Sequence, residues 1–328
     1  MSQKTAEPRT RTVGQASAYT AGRLRESVPP YEVSGPPAAP VVVALGGISA
    51  GRHVTSTGGD TSAGWWQDIA GAGRAIDTAK YRVVSFDYVD AGSTEDGRPA
   101  GLISTHDQAD ALRRVLDTLG VGKVRGIVGA SYGGMVALAF ADRYPDRVER
   151  IVVVSAPHEA HPMSTALRSI QRGIVTLGIE TGRTHDALSL ARALAMTTYR
   201  SASEFAGRFS PLPDVTTDTT AAFPVEHYLT HHGEKFARRW SPSRFLALSL
   251  SADLHRIDPQ RIRTPAVLVS IDGDTIVPAQ QMEQLAAALA GPHRLIRVQA
   301  TTGHDAFLAE PDIIGPILSN SLSDEFIA

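Results

Sequence analysis

Short runs rich in Val, Ile and Leu punctuate this chain at residues 41–45, 82–86, 124–128 and 151–154, and again at 265–271 and 293–298. Runs of this length, bounded by Gly, Pro or Asp, read as strands, the uninterrupted ones as buried strands and 293–298, where His and Arg interrupt the apolar residues, as a short strand candidate. Between them the period changes. Across 105–119, Ala109, Leu112, Val115, Leu116 and Leu119 recur at spacings of three and four, and residues 135–143 are also helix-like. Strand and helix in alternation predict an α/β fold, with a mainly parallel sheet covered on both faces.

Beyond Pro157 the alternation stops for about a hundred residues, and no convincing strand returns before Pro265. Residues 187–198 and 245–254 are helix-like there, and Ser210-Pro211-Leu212-Pro213-Asp214 reads as a loop. The expected organisation is a flexible tail over 1–30 leading into an extended segment near Tyr31-Glu32-Val33. A core over 31–160 and 259–328 would then carry a helical insertion over 161–258 that lies above the strand ends as a lid.

The first candidate chemistry is Gly129-Ala130-Ser131-Tyr132-Gly133, between a strand and a helix. A Gly-x-Ser-x-Gly turn in that setting is sharp and strained, and glycines on both sides let strand and helix approach closely while the serine projects as a nucleophile. An acid and then a histidine should follow in the chain. Asp272-Gly273-Asp274 closes the run 265–271, and Gly303-His304-Asp305 follows the run 293–298. Each has a plain reading alone: Asp-Gly is a common turn, and His304 sits at the start of a helix. Together they fall after three strands in the required order, so Ser131, Asp274 and His304 form a candidate triad. Asp274 is preferred to Asp272 because it lies in the loop before Pro278, whereas Asp272 is still at the strand end. Gly46-Gly47-Ile48 follows the first buried strand, and the backbone amides of Ile48 and Tyr132 are the expected oxyanion donors.

Composition narrows the alternatives. With 328 residues, 42% of them hydrophobic, the chain can build one large core plus an insertion, and a net charge of −2 disfavours a nucleic-acid or membrane-surface binder. The absence of cysteine removes disulfide scaffolds, thiolate catalysis and Cys-based zinc sites. The spacing in His158-Glu159-Ala160-His161 is wrong for a zinc helix, Gly71-Ala72-Gly73 follows no strand and has Ile76 where a dinucleotide fingerprint needs its third glycine, and there is no phosphate loop. No metal and no resident cofactor are expected, no membrane span or secretory signal is read, and a cytoplasmic location is the expectation.

Further motifs carry a resemblance. Gly64-Trp65-Trp66, Ala75-Ile76-Asp77-Thr78, Leu119-Gly120-Val121, Ser131-Tyr132-Gly133-Gly134-Met135, Thr198-Tyr199-Arg200-Ser201 and Gly303-His304-Asp305-Ala306-Phe307-Leu308 span most of the chain. In these the sequence resembles the homoserine O-acyltransferase family of the α/β-hydrolase superfamily. The resemblance implies an acyl-CoA and L-homoserine as substrates, a ping-pong route through an acyl-Ser131, a place in methionine biosynthesis, and a homodimer packed through lid helices. It also implies that Arg200 grips the substrate carboxylate and Asp305 its ammonium. The chain departs from the family pattern at Gly46-Gly47, where many relatives have His-Gly. Asp87-Tyr88-Val89-Asp90 stands for the usual Asn-x-Leu-Gly, and Ala130 and Tyr132 flank the serine where Gly-Ser-Met is familiar. Arg168 and Arg172, four apart at the start of the insertion, are candidate partners for a succinyl carboxylate, so succinyl is favoured over acetyl. A carboxylesterase and a non-catalytic ligand-binding protein of the same fold are the rival readings; a simple esterase has no need of an amino-acid clamp.

Overall fold

The computed structural model describes residues 27–323. Seven strands form the main sheet in the order β1-β5-β2-β6-β7-β10-β11: β1 (Tyr31–Ser34), β2 (Val41–Leu45), β5 (Arg82–Phe86), β6 (Gly126–Ala130), β7 (Ile151–Val154), β10 (Ala266–Ile271) and β11 (His293–Val298). Only the edge strand β1 runs antiparallel, against β5. β2, β6, β7 and β10 are buried along their whole length, as continuous apolar runs require in a sheet covered on both faces. Two small ribbons complete the strands, β3 (Ala70–Gly71) with β4 (Ile76–Asp77), and β8 (Val215–Thr216) with β9 (Ala221–Ala222).

Helices α1 (Thr105–Thr118), α2 (Tyr132–Arg143), α8 (Ala279–Ala288) and α10 (Pro311–Leu322) flank the sheet, and the single turn α9 (Ala306–Ala309) precedes α10. The start of α1 is set by Ser104, whose hydroxyl accepts the Asp107 amide while the Asp107 carboxylate accepts the Ser104 amide. A helical block, α3 (Pro162–Glu180), α4 (Thr184–Tyr199), α5 (Ala202–Arg208), α6 (Pro224–Ala237) and α7 (Pro242–Asp253), is inserted between β7 and β10. It has its own small core of Val175, Leu188, Ala191, Phe236, Phe245 and Leu246.

Three local expectations shift. The strand expected at 124–128 runs from Gly126 to Ala130, with Val124 reduced to an isolated bridge to Val148, because Gly126–Ala130 pairs on both sides, with β2 and with β7. Helix α2 begins at Tyr132, immediately after the nucleophile turn, not at Met135. The insertion also holds the β8–β9 ribbon, too short for an apolar pattern to reveal. Of the tail expected over 1–30, residues 1–26 lie outside the described residues, as do 324–328.

From β2 the chain passes outward to β5 and then crosses back to β6 on the other side, so the winding reverses between β2 and β6. Loops leaving the carboxyl ends of these two strands diverge and leave a crevice, the usual ligand position in an open α/β sheet.

Candidate active site

Ser131 sits at the mouth of that crevice with φ 54° and ψ −123°, a conformation disfavoured for a side-chain-bearing residue. The turn holds because its neighbours are glycines. A Cβ on Gly129 would lie 2.2 Å from the Gly133 carbonyl oxygen, and one on Gly133 would lie 2.3 Å from that of Leu45. The Ser131 amide donates to the Val154 carbonyl at 2.8 Å, anchoring the turn to β7.

The histidine arrives from the other end of the sheet. Glu310 accepts from the amides and hydroxyls of Thr301 and Thr302, shaping the loop after β11, and Gly303 takes a left-handed φ of 68°. His304 then lies on a 3₁₀ turn, with Nε2 2.8 Å from Ser131 Oγ and Nδ1 2.6 Å from Asp274 Oδ2. The other Asp274 oxygen accepts from the Ile276 and Val277 amides at 2.8 and 2.9 Å. Asp274 and His304 are buried. Burial opposes a charged imidazole, but the Asp274 carboxylate outweighs it and holds His304 above its ordinary pKa of 6.5. Asp274, rather than Asp272, is therefore the acid against the imidazole.

Two residues without a backbone acceptor for their amides lie beside this hydrogen-bonded chain. Ile48 and Tyr132 both line the cavity at Ser131, and neither amide has a backbone acceptor among the described residues. Their peptide planes are held from behind: Gly47 O accepts from Ala50 N at 2.9 Å, and Ser131 O accepts from Gly134 N at 2.9 Å and Met135 N at 3.1 Å. Such fixed, free donors suit an oxygen that gains negative charge.

Two cavities meet at Ser131 and His304. One extends beneath the helical block and is lined by Met135, Leu167, Arg168, Phe236, Trp240 and Phe245, among others. The second opens between Gly47–Ala50, Trp65 and the residues Asp305, Phe307 and Leu308. Arg192 and Tyr199 line both. The motif tryptophans brace this second wall: Trp66 Nε1 donates to Phe307 O at 2.7 Å and Trp65 Nε1 to Gly51 O at 3.0 Å.

Arg200 and Asp305 are brought together, but as partners of each other. Arg200 Nε lies 3.2 Å from Asp305 Oδ2 and its Nη1 3.2 Å from Glu204, and Arg200 lines neither cavity. The sequence expectation makes these two residues separate handles on a ligand; in this structure Arg200 follows the end of α4, in extended backbone turned toward α5. The cation facing both cavities is Arg192, about two turns earlier on the same helix. Its guanidinium stands 5.1 Å from the Tyr199 ring centroid and 5.3 Å from that of Phe236, with no carboxylate paired to it among the described residues. Only the helical phase of α4 against α6 separates Arg192 from Arg200, and the sequence pattern does not express it. Asp305 lines the second cavity; burial raises its carboxyl above the usual range despite the nearby cations.

Arg168 and Arg172 both reach Asp253 at 2.6 Å, so two cations share one buried carboxylate. Only Arg168 lines the first cavity. No cluster suited to a metal ion occurs among the described residues, and no helix among them is long and apolar enough to cross a membrane.

Residues 40–311 match the family model for the alpha/beta hydrolase fold. The chain is 41% identical over 293 residues to a homoserine O-succinyltransferase of Xanthomonas campestris pv. campestris, covering 89% of this chain and 78% of that protein. It belongs to the homoserine O-acyltransferase family. A serine O-succinyltransferase of Frateuria aurantia is 33% identical over 314 residues, covering 82% of this chain and 84% of that protein. Among solved structures, a homoserine O-acetyltransferase from Staphylococcus aureus superimposes with a TM-score of 0.74 at 25% identity, covering 90% of this chain and 88% of the other. For this family member the motifs quoted from the sequence now have places: those after β11 and at the end of α4 close around His304, where Thr275 Oγ1 donates to Thr198 O at 3.1 Å and Ser201 Oγ to Thr301 O.

Proposed function

We propose that this acyltransferase moves a succinyl group from succinyl-CoA to the side-chain hydroxyl of L-homoserine. The observation that carries the reading is the unpaired Arg192 beside a complete Ser131–His304–Asp274 hydrogen-bonded chain, where two cavities meet. Ser131 Oγ attacks the thioester carbonyl as His304 Nε2 takes its proton, and Asp274 fixes the imidazole tautomer and balances its charge. The oxyanion lies against the Ile48 and Tyr132 amides. The thiolate of CoA leaves with the proton from His304, and an acyl-Ser131 remains. His304 then takes the proton of the homoserine hydroxyl, whose oxygen attacks the ester, and Ser131 is released protonated.

An amino acid offers a carboxylate and an ammonium. Arg192 takes the carboxylate in a charge-assisted pair, and Asp305 on the second cavity takes the ammonium. Succinyl is favoured because Arg168, Arg172 and Asp253 leave one net positive charge in the wall of the first cavity, where a terminal carboxylate would lie. An apolar stripe of Met163, Ile170 and Leu177 on α3, 59%, 55% and 61% exposed, recurs every seventh residue and supports a homodimer through the helical block. A place in methionine biosynthesis in the cytoplasm follows from the same reading.

The test is thiol release from succinyl-CoA and from acetyl-CoA, each with L-homoserine, with L-serine or with no acceptor, and the product weighed by mass spectrometry. Homoserine-dependent release from succinyl-CoA with an O-succinyl product is expected, and Arg168→Met should lower kcat/KM for succinyl-CoA while sparing acetyl-CoA. Equal release without any amino acid, alongside hydrolysis of simple esters, would leave a carboxylesterase instead.

A further inference from the structure

The oxyanion loop contains two consecutive glycines, Gly46-Gly47, with no side chains of their own to hold it. Two glycines leave the loop backbone wide conformational freedom, yet an oxyanion donor is effective only when its N–H is already aimed. Something outside the loop must therefore supply the constraint. The carbonyl of Gly46 is held from two directions: the Tyr88 hydroxyl donates to it at 2.7 Å, and the Gly133 amide donates at 3.0 Å. The next peptide, which carries the Ile48 N–H, is fixed by Ala50. Tyr88 is buried, and its hydroxyl proton is hard to remove because burial disfavours the phenolate, so it serves as a permanent donor.

Tyr88 also touches the other half of the oxyanion site. Its ring packs edge-on against Tyr132, centroids 4.9 Å apart and planes at 89°, and Phe86 packs edge-on against Tyr88 at 5.6 Å. The Tyr132 hydroxyl lies 2.7 Å from Ser251 Oγ on α7. Gln108 clasps both the amide and the carbonyl of Val89, fixing the chain just after Tyr88. One side chain thus braces the loop carrying the first donor and the residue carrying the second.

We infer that Tyr88 is a positioning residue for acyl transfer, its hydroxyl on the Gly46 carbonyl setting the direction of the Ile48 N–H toward the tetrahedral oxyanion. The inference rests on the acyl-serine mechanism proposed above for the nucleophile and the two amides, but not on the identity of donor or acceptor.

Tyr88→Phe removes the hydroxyl and keeps the ring packing. Because it leaves the acyl and acceptor pockets intact, kcat should fall about 10- to 100-fold, short of the loss of a whole oxyanion donor, while KM for the acyl donor stays within about twofold. The acylation burst with p-nitrophenyl acetate should fall in parallel, as should affinity for phenylboronic acid, whose serine adduct places an oxygen in the same site. The acid limb of the pH profile should not move, since His304 and Asp274 are untouched. A mere loss of stability would lower the active fraction of Ser131 titrated by a fluorophosphonate, so rates are expressed per titrated serine. Wild-type kcat and boronate affinity per active site in Tyr88→Phe would overturn the inference, as would a raised KM with kcat unchanged. If homoserine transfer is absent in the wild type but the ester burst is present, the substrate assignment fails and the burst still decides the role of Tyr88.

Discussion

Replacing Arg192 by Met separates acceptor binding from acylation. Met is similar in length and apolar, so contact with the Tyr199 and Phe236 rings persists while the charge is lost. A carboxylate 4 Å from a guanidinium is worth about 4 kcal/mol at an effective dielectric near 20, and solvent reaching the cavity reduces this to about 2–3 kcal/mol. That corresponds to a loss of roughly 30- to 150-fold in kcat/KM for homoserine. In the proposed mechanism the first half-reaction relies on Arg168 for the succinyl carboxylate rather than on this charge. CoA burst amplitude from succinyl-CoA without acceptor should therefore stay near one per site in stopped flow, while the homoserine dependence of steady-state turnover moves to far higher concentrations. Loss of two cation–π contacts costs about 1–2 kcal/mol of stability at most, visible as a modest shift of the urea midpoint. Arg200→Met should instead mainly destabilise the α4–α5 corner through loss of the Asp305 and Glu204 pairs. A homoserine KM within threefold of wild type in Arg192→Met, or a larger acceptor effect from Arg200→Met, would refute the assignment of Arg192.

Four other outcomes follow from the geometry. His304 must be neutral to accept a proton, and Asp274 holds its pKa above 6.5, so kcat/KM should fall as pH drops through that raised value; Asp274→Asn should move this limb to lower pH and cut kcat by about 10³–10⁴ in a pH–rate profile. By linkage, a raised folded pKa means that protonated His304 contributes stability fully present below about 6.5 and lost as pH rises through the folded value, so the urea midpoint of wild type should lose this contribution on the alkaline side and that of Asp274→Asn should not. Ser131→Gly relieves a backbone at φ 54° and should raise stability by about 1 kcal/mol in urea unfolding while abolishing turnover; a midpoint at or below wild type counts against stored strain. Gly133→Ala would put a Cβ 2.3 Å from the Leu45 carbonyl oxygen with backbone on both sides, so a loss above about 3 kcal/mol is expected in thermal or urea unfolding, and a near-neutral alanine would contradict the close approach of α2 and β2.

The strand runs were legible because a parallel sheet buried on both faces demands uninterrupted apolar residues, and β2, β5, β7 and β10 fall where those runs lie; the edge strand β11 is buried only at Val298 and carries His293, Arg294 and Arg297 among its apolar residues. Ser131, Asp274 and His304 were legible for a related reason: each follows such a run, and their order along the chain is constrained by how the sheet is wound. Sequence alone also carried the family, through tryptophan and glycine motifs whose contacts are local to the site. It could not choose between Arg192 and Arg200. Both lie on or beside one helix with the same chemistry, and only the packing of α4 against α6 turns one guanidinium into the cavities and leaves the other against Asp305 and Glu204. Nor could it show that Arg168 and Arg172 converge on Asp253, or that Tyr88 reaches the Gly46 carbonyl, since these pairs join distant segments. Periodicity reports which face of an element is buried, a property of near neighbours in the chain. Which charges meet, and which remain free to bind a ligand, depends on how separate elements rotate against one another, and that is decided only when the whole core packs.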